Sequence, residues 1–531
     1  MSTRVKGPTL TDLPAEILQS ICANLCLHCQ TPHAVDAPYH LAQTGLLDQK
    51  ALVSLSLTCR QLRAVAQPVL FHVYLSDSLH CTPVISSPPQ DPKLNFGTNL
   101  FNLRRYFHER RRASLFLRTL LERDDLAACV RALSLHLPPW EAPLHIDQEG
   151  NLELSRLRKF ETGLVVDVVT EATQRVLQGG MGGHLAKTRQ SINDQLERVQ
   201  EHIILLCASS LEQLCIERTL LLDDLVNMPY DWRGWSYSLP KLNYLAFLGK
   251  RYDGDDTYYY KEARSLISSA TKLCTLVLSD RNTFNEPWMI FKDRNVSWNF
   301  SLEFLTKLSI SGIERDHLRG ILRGCPVLQD LEYHVDEANY DSDILSPEED
   351  LSVVKGSLQR LCYSVLRNSF YEEIVILEED YYPSWATLLA LKTLEIPRLI
   401  IYGPVEEYDY EAGQENEDQG AFKMELTTPE DFMSRLPQTV ETLRIGCIFS
   451  WPAMYRDAVA LAREAPIRFP HLRNLHLELD WPCIPQDENM HLVRIFAESR
   501  ITCTVASCRQ GSSLDSSAQI KYIDSPDRVG V

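Results

Sequence analysis

DHLRGILRGCPVLQDLEY, from Asp316 to Tyr333, contains one complete unit of the pattern that decides the fold. In its first half, Leu318, Leu322 and Cys325 recur at helical spacing, which predicts an amphipathic helix. Its second half begins at Leu328 and reads apolar-x-x-Leu-x-apolar, which indicates a short buried strand. The stretch therefore predicts a helix that leads directly into a strand.

The strand pattern recurs along most of the chain. Its starting residues are, in chain order, Val130, Leu211, Leu242, Leu273, Leu305, Leu328, Leu358, Leu391, Val440 and Leu472. From Leu211 onward, the starts are separated by 31, 31, 32, 23, 30, 33, 49 and 32 residues. Repeats of this length usually stack so that each unit contacts its neighbours. We therefore predict an α/β solenoid with a curved parallel sheet and outer helices.

The first 75 residues have a different, mainly helical pattern. In TDLPAEILQSI, Pro14 suits the first turn of a helix, and the preceding Thr11 and Asp12 are candidate caps. A second helix is predicted to begin near Asp48 and to end at Pro68. A short strand should follow, ending at Leu75. Such short amphipathic helices leave apolar surface that must be covered by the chain or by a partner.

These two segments resemble an F-box. The resemblance is carried by L-P-x-E-I-L-x-x-I at Leu13 to Ile21 and by L-x-x-L-S-L-T-C-R-x-L-R at Leu52 to Arg63. The ending AQPVLF, Ala66 to Phe71, is similar to that of many fungal F-box proteins, and the Cys-Pro before Leu328 resembles the leucine-rich repeats that follow F-boxes. The resemblance implies binding to the Skp adaptor of a cullin–RING ubiquitin ligase. By position, the adaptor-facing residues would be Leu13, Pro14, Ile17, Ile21, Leu25, Leu52, Leu55 and Leu62.

The predicted organisation follows from these patterns. Residues 1–75 form the F-box with a long internal spacer at 26–47, and residues 76–125 form a linker and helical region. The degenerate leucine-rich-repeat solenoid covers residues 126–505, and residues 506–531 form a disordered tail. The usual asparagine after each strand is missing, so the repeats depart from the consensus of that family.

Composition narrows the class of protein. The chain has 531 residues, a net charge of −18 and 15 cysteines without a disulfide framework. The acidic balance argues against nucleic-acid binding, which requires phosphate neutralisation. The scattered cysteines favour the reducing cytoplasm or nucleus. No apolar stretch is long enough for a membrane span. No catalytic motif is found, so we predict a non-enzymatic adaptor without a cofactor.

Loops between the repeats are rich in Trp and Tyr, which are common at binding hot spots. These aromatic residues either capture a protein substrate or pack beneath their own loops. The candidate substrate-binding residues are Tyr230, Trp232, Trp235, Tyr258, Trp288, Trp298, Trp385 and Trp451. Together with the F-box, they predict a substrate-recognition adaptor of an SCF-type ligase. The alternative is a binding scaffold that acts outside ubiquitin transfer.

The F-box spacer concentrates potential metal ligands. Cys26-x-x-Cys29 with His33 provides three zinc-type ligands, and His40 or Cys22 provides a fourth. Alternatively, Cys22 and Cys26 belong to the buried face of a helix. A second CxxC motif is absent, and we predict no metal site.

Overall fold

The computed structural model describes residues 9–31, 39–75, 112–137, 204, 207–219, 239–250, 266–280, 300–336, 345–366, 384–397, 428–448, 451–479 and 486–507, apart from residues 114, 312 and 314. The chain divides into two compact units, Met1–Cys274 and Thr275–Val531. Both units combine helices with parallel strands. Within the described residues, no helix is long and apolar enough to cross a membrane.

The first unit begins with a short 3₁₀ turn, Leu10–Asp12, and a group of helices. Their bounds are α1 Ala15–Ala23, α2 Leu27–Gln30, α3 Tyr39–Thr58 and α4 Arg60–Leu70. Helix α4 packs against both α1 and α3. A further short helix, α5, spans Asp124–Ala127.

Each unit contains strands that run in chain order. The first unit has β1 Val73–Leu75, β2 Ala132–Leu137, β3 Gln213–Thr219 and β4 Tyr244–Lys250. The second has β5 Thr275–Asp280, β6 Lys307–Ser311, β7 Asp330–Asp336, β8 Arg360–Leu366, β9 Thr393–Pro397, β10 Thr442–Ile448, β11 Asn474–Leu479 and β12 Thr502–Ser507. Within a unit, consecutive strands pair in parallel.

The central leucine of the sequence pattern explains this pairing. Neighbouring strands align their leucines, so that Leu331 pairs with Leu308 on one side and with Leu361 on the other. The alignment continues through the second unit to Leu394, Leu443 and Leu475. All of these leucines are fully buried. Stacked burial fixes the register, because a slip of one residue would move every leucine to the other face.

Helices connect several strands of the second unit. They are α6 Arg315–Leu322, α7 Pro429–Ser434, α8 Trp451–Arg468 and α9 Gln486–Glu498. In α6, Leu318 and Leu322 are fully buried, as is Cys325 just beyond it. This confirms the apolar face predicted from the sequence. Helices α7 and α8 pack together, as do α8 and α9.

The N-terminal helices differ from the prediction at their ends. Pro14 lies at the N-cap of α1 without a side-chain cap, whereas the Asp12 carboxylate accepts hydrogen bonds from the Thr9 backbone and hydroxyl in the preceding turn. The expected helix from Asp48 to Pro68 is wrong in three respects. It begins at Tyr39 rather than near Asp48. It is interrupted at Cys59, whose Sγ accepts the Leu62 N–H at 3.5 Å, and Pro68 lies inside α4.

Candidate functional site

The N-terminal helices expose apolar side chains on their outer surface. Val53 and Leu57, one turn apart on α3, are 41% and 70% exposed, and Ile17 on α1 is 49% exposed. The amide of Gln61 donates to the Thr11 carbonyl at 3.1 Å, which places the first turn beside the junction of α3 and α4. Leu10 in that turn is 39% exposed. We use the name apolar face for these four exposed residues taken together, Leu10, Ile17, Val53 and Leu57.

The residues predicted to face an adaptor divide into two groups. Ile17 and Pro14 are exposed. Four others are half-buried and keep part of their surface open to a partner: Leu13, Ile21, Leu25 and Leu55. Leu52 and Leu62 are 1% and 4% exposed. These two side chains belong to the packed interior of α3 and α4, so the prediction that they face the adaptor is wrong.

Three residues of the apolar face were missed from the sequence. Leu57 lies two positions after Leu55, so it falls off the stripe that begins with Leu55, Cys59 and Leu62. Such an apolar residue outside the buried stripe is itself a signal of a surface that needs a partner. Val53 and Leu10 carry the same signal, since neither fits the predicted buried face.

A second candidate site lies in the spacer, where four potential metal ligands converge. The ligand atoms of Cys26, His28, Cys29 and His72 all lie within 4.8 Å of one another. The Nδ1 atom of His72 is 3.9 Å from the Cys26 Sγ and 3.5 Å from the Cys29 Sγ. The Nδ1 atom of His28 is 4.0 Å from the Cys29 Sγ. We call these four residues the Cys/His cluster.

Local backbone structure explains the convergence. Cys26 is the N-cap of α2 and Cys29 lies within the same turn, because the Cys29 N–H donates to the Cys26 carbonyl at 3.0 Å. His72 directly precedes β1, and its carbonyl accepts the backbone N–H groups of Arg131 and Ala132. The cluster therefore joins α2 to the amino-terminal end of the first strands.

An acidic residue lies behind the cluster. Glu212 directly precedes β3, and its Oε2 atom is 3.3 Å from the Nε2 atom of His28. Its Oε1 atom accepts a hydrogen bond from Arg131 at 3.0 Å. Glu212 thus orients the His28 ring from the side opposite to the Nδ1 atom that faces Cys29.

Burial determines the protonation of the cluster. It raises the pKa of the Cys26 thiol to about 12, so the thiol is protonated at neutral pH. Burial, together with His28 and Arg131, lowers the pKa of His72 to about 4. Burial also lowers the pKa of His28, although Glu212 acts in the opposite direction. Both imidazoles are therefore neutral at pH 7, the form in which histidine binds metals.

The sequence prediction for this spacer placed the ligands differently. Cys22 is buried in α1 and is not part of the cluster, in agreement with its alternative assignment to a buried helix face. His33 lies outside the described residues, as does the side chain of His40. His28 was not predicted as a ligand, and His72 was missed because it lies 43 residues after Cys29.

The candidate substrate-binding residues are mostly outside the described part of the chain. This applies to Tyr230, Trp232, Trp235, Tyr258, Trp288 and Trp298, and to the side chain of Trp451. Trp385 is described and is 1% exposed. Its ring lies 6.2 Å from that of Tyr363, which stacks on Tyr333. The prediction that Trp385 binds substrate is wrong, because it is a core residue of the second unit.

Comparison with known proteins gives no family for this chain. No protein-family model matches the sequence. No curated protein matches it either.

Proposed function

We propose that this chain is a substrate-recognition adaptor of an SCF-type cullin–RING ubiquitin ligase. In this proposal, the N-terminal helices are an F-box that binds the Skp adaptor. The strands form a degenerate leucine-rich-repeat solenoid that captures a protein substrate. The observation that carries the proposal is the apolar face, because it lies on the helices whose sequence resembles an F-box.

The free energy gained by burying apolar side chains favours a partner on the apolar face. Leu57 leaves more than two thirds of its surface in water, and Val53 extends the exposure along the same side of α3. Complete burial of a Leu or Val side chain contributes about 1.5–3 kcal/mol. The helices retain their own core through Leu52 and Leu62, so the exposed residues are available for binding without unfolding the hairpin.

The chain itself would perform no chemistry in this role. A captured substrate would be held near a ubiquitin-charged conjugating enzyme on the cullin, and the tethering would raise the effective concentration of a substrate lysine. The proposed partners are the Skp adaptor, a cullin and an unidentified protein substrate, in the cytoplasm or the nucleus. Neither nucleic acid nor membrane is a proposed partner.

Affinity purification of the tagged chain tests the proposal. We expect wild type to recover both a Skp adaptor and a cullin, and Leu57→Asp to lose both, because it places a charge in the apolar contact. The matched control is Leu389→Asp, which changes a leucine that is 75% exposed in the second unit. Recovery of the adaptor without a cullin would favour the alternative scaffold outside ubiquitin transfer. Unchanged recovery by Leu57→Asp would contradict docking through this face.

A further inference from the structure

The Cys/His cluster has the composition of a structural zinc site. Two cysteines and two histidines form one of the common tetrahedral ligand sets for Zn²⁺. Thiolates with imidazoles also disfavour the hard cations Mg²⁺ and Ca²⁺, which take oxygen ligands. We propose that Cys26, Cys29, His28 and His72 bind one zinc ion.

The interatomic distances fit this coordination. Zinc bonds of about 2.3 Å to sulfur and about 2.0 Å to nitrogen place tetrahedral S and N ligands about 3.5 Å apart. Three of the four sulfur–nitrogen distances in the cluster are 3.5, 3.9 and 4.0 Å. All four ligand atoms lie within 4.8 Å of one another, and Cys29 is exposed enough for the ion to enter.

The surroundings of the cluster provide the hydrogen-bond acceptor that a zinc-bound histidine usually has. A zinc-bound histidine almost always donates its other ring N–H to a carboxylate or carbonyl. When His28 binds through Nδ1, its Nε2–H donates to Glu212, whose Oε2 atom lies 3.3 Å away. Arg131 holds the other oxygen of the same carboxylate. This arrangement fixes the ring orientation before the metal arrives.

Binding would release protons and tie two parts of the first unit together. Zinc forms bonds to both sulfurs as thiolates, so each thiol transfers its proton to solvent. The ion would join α2, within the spacer of the proposed F-box, to His72 at the start of β1. It would therefore anchor the helices that carry the apolar face to the sheet of the first unit. This role does not depend on which partner the apolar face binds.

Metal analysis of the untagged full chain tests the site. Purified under reducing conditions and freed of unbound metal, wild type should contain about one zinc per chain by mass spectrometry. Cys29→Ala and His72→Ala should lose most of it. The matched controls are Cys274→Ala and His471→Ala, which change exposed residues elsewhere and should retain the full zinc content.

Two further measurements keep the test independent of misfolding. Replacement by Co²⁺ should give the thiolate charge-transfer and visible bands of a tetrahedral site in wild type, and these bands should disappear in Cys29→Ala. Glu212→Gln should lower the zinc affinity by about 10–100-fold, because the carboxylate that accepts the His28 Nε2–H is lost. A wild-type chain without zinc, a Cys26–Cys29 disulfide in its place, or a zinc content unchanged by both ligand substitutions would overturn the proposal.

Discussion

Gly324 lies where the chain leaves α6, at a position that cannot accept a side chain. A Cβ atom built on Gly324 would lie 2.0 Å from the carbonyl oxygen of Phe300, a backbone atom that cannot rotate away. The Gly324 carbonyl also accepts the Leu302 N–H at 2.9 Å, which holds the two segments together. Close backbone contact, rather than a special dihedral angle, therefore requires glycine here.

We predict that Gly324→Ala lowers the free energy of unfolding by about 2 kcal/mol, because the two backbone segments must separate. Urea denaturation followed by circular dichroism measures the change. Gly356→Ala is the matched control, since nothing lies within 4 Å of its added Cβ. Equal stabilities of the two variants would show that the contact with Phe300 is easily relaxed.

At the residue scale, the sequence shows which residues are apolar but does not show which of them are buried. Leu52, Leu55 and Leu57 all lie in the segment that resembles an F-box, yet their burial ranges from almost complete to minor. Helical spacing assigns residues to a face, but the packing of α4 decides which face is buried. Trp385 illustrates the same limit, because an aromatic residue in a loop-rich segment can equally well be core.

At the scale of elements, α6 is held to the following segment by a buried charge. The Asp350 side chain is fully buried and accepts hydrogen bonds from Arg315 at 2.6 Å and from Arg319 at 2.8 Å and 2.5 Å. The backbone N–H of Ser346 donates to the same carboxylate at 2.7 Å. Removal of the Asp350 carboxylate takes away the buried partner of Arg315 and Arg319, which keep the exposed Glu349, and takes away the acceptor of the Ser346 N–H.

We predict that Asp350→Ala destabilises the chain by about 3 kcal/mol. Glu349→Ala is a matched control, because Glu349 contacts the same two arginines but is 68% exposed, and its loss should cost less than about 1 kcal/mol. Urea titrations of both variants provide the comparison. Similar losses for the two would mean that burial does not strengthen the Asp350 interactions.

Three neighbouring strands share a second charged group. Arg360 on β8 donates to Asp330 at 2.7 Å and to Glu332 at 2.6 Å, both on β7, and Lys307 on β6 lies 3.3 Å from Glu332. Burial by itself raises the pKa of Glu332, but the two cations outweigh it and lower the pKa to about 2. The pKa of Asp330 is raised instead, because the effect of burial is larger than the opposing effect of Arg360 and Lys307.

This group predicts a pH dependence of stability. Since the pKa of Glu332 falls from 4.5 to about 2 on folding, its stabilising contribution is present above pH 4.5 and is lost as the pH falls toward 2. Glu332→Gln should therefore cost about 3 kcal/mol at pH 7, and the difference from wild type should shrink by pH 3. Glu441→Gln, which changes an exposed carboxylate 3.7 Å from Lys392, is the matched control and should cost less than about 1 kcal/mol at pH 7. A difference that stays constant with pH would contradict the role of Glu332.

The order of the elements was largely predictable, while some of their ends were not. All ten strands predicted from the repeat pattern are present, because the recurring leucine marks each position that stacks on its neighbour, and the short strand ending at Leu75 is present as well. Strand β12 was missed as a repeat because ITCTVAS, from Ile501, has Cys503 at the position of that leucine. The break at Cys59 was missed because neither proline nor glycine marks it. The Cys/His cluster needed the fold, since the first strand brings His72 to α2.

At the scale of the whole molecule, the chain combines an exposed helical face with two units of parallel strands in chain order. Three residues of the apolar face, Ile17, Val53 and Leu57, lie in the segments whose sequence resembles an F-box. The Cys/His cluster lies between the N-terminal helices and the strands of the first unit. Each feature makes a separate prediction, so failure of zinc binding would leave the docking proposal intact. The central claim concerns the docking face.

Direct titration of the purified full chain with a purified fungal Skp adaptor tests that claim most directly. Calorimetry should show one-to-one binding by wild type, and a loss of at least about tenfold in affinity for Ile17→Asp and Leu57→Asp, since each introduces a charge into a buried apolar contact. Leu389→Asp should bind like wild type. Absence of binding by the folded wild-type chain, or equal affinity in all four proteins, would contradict the account.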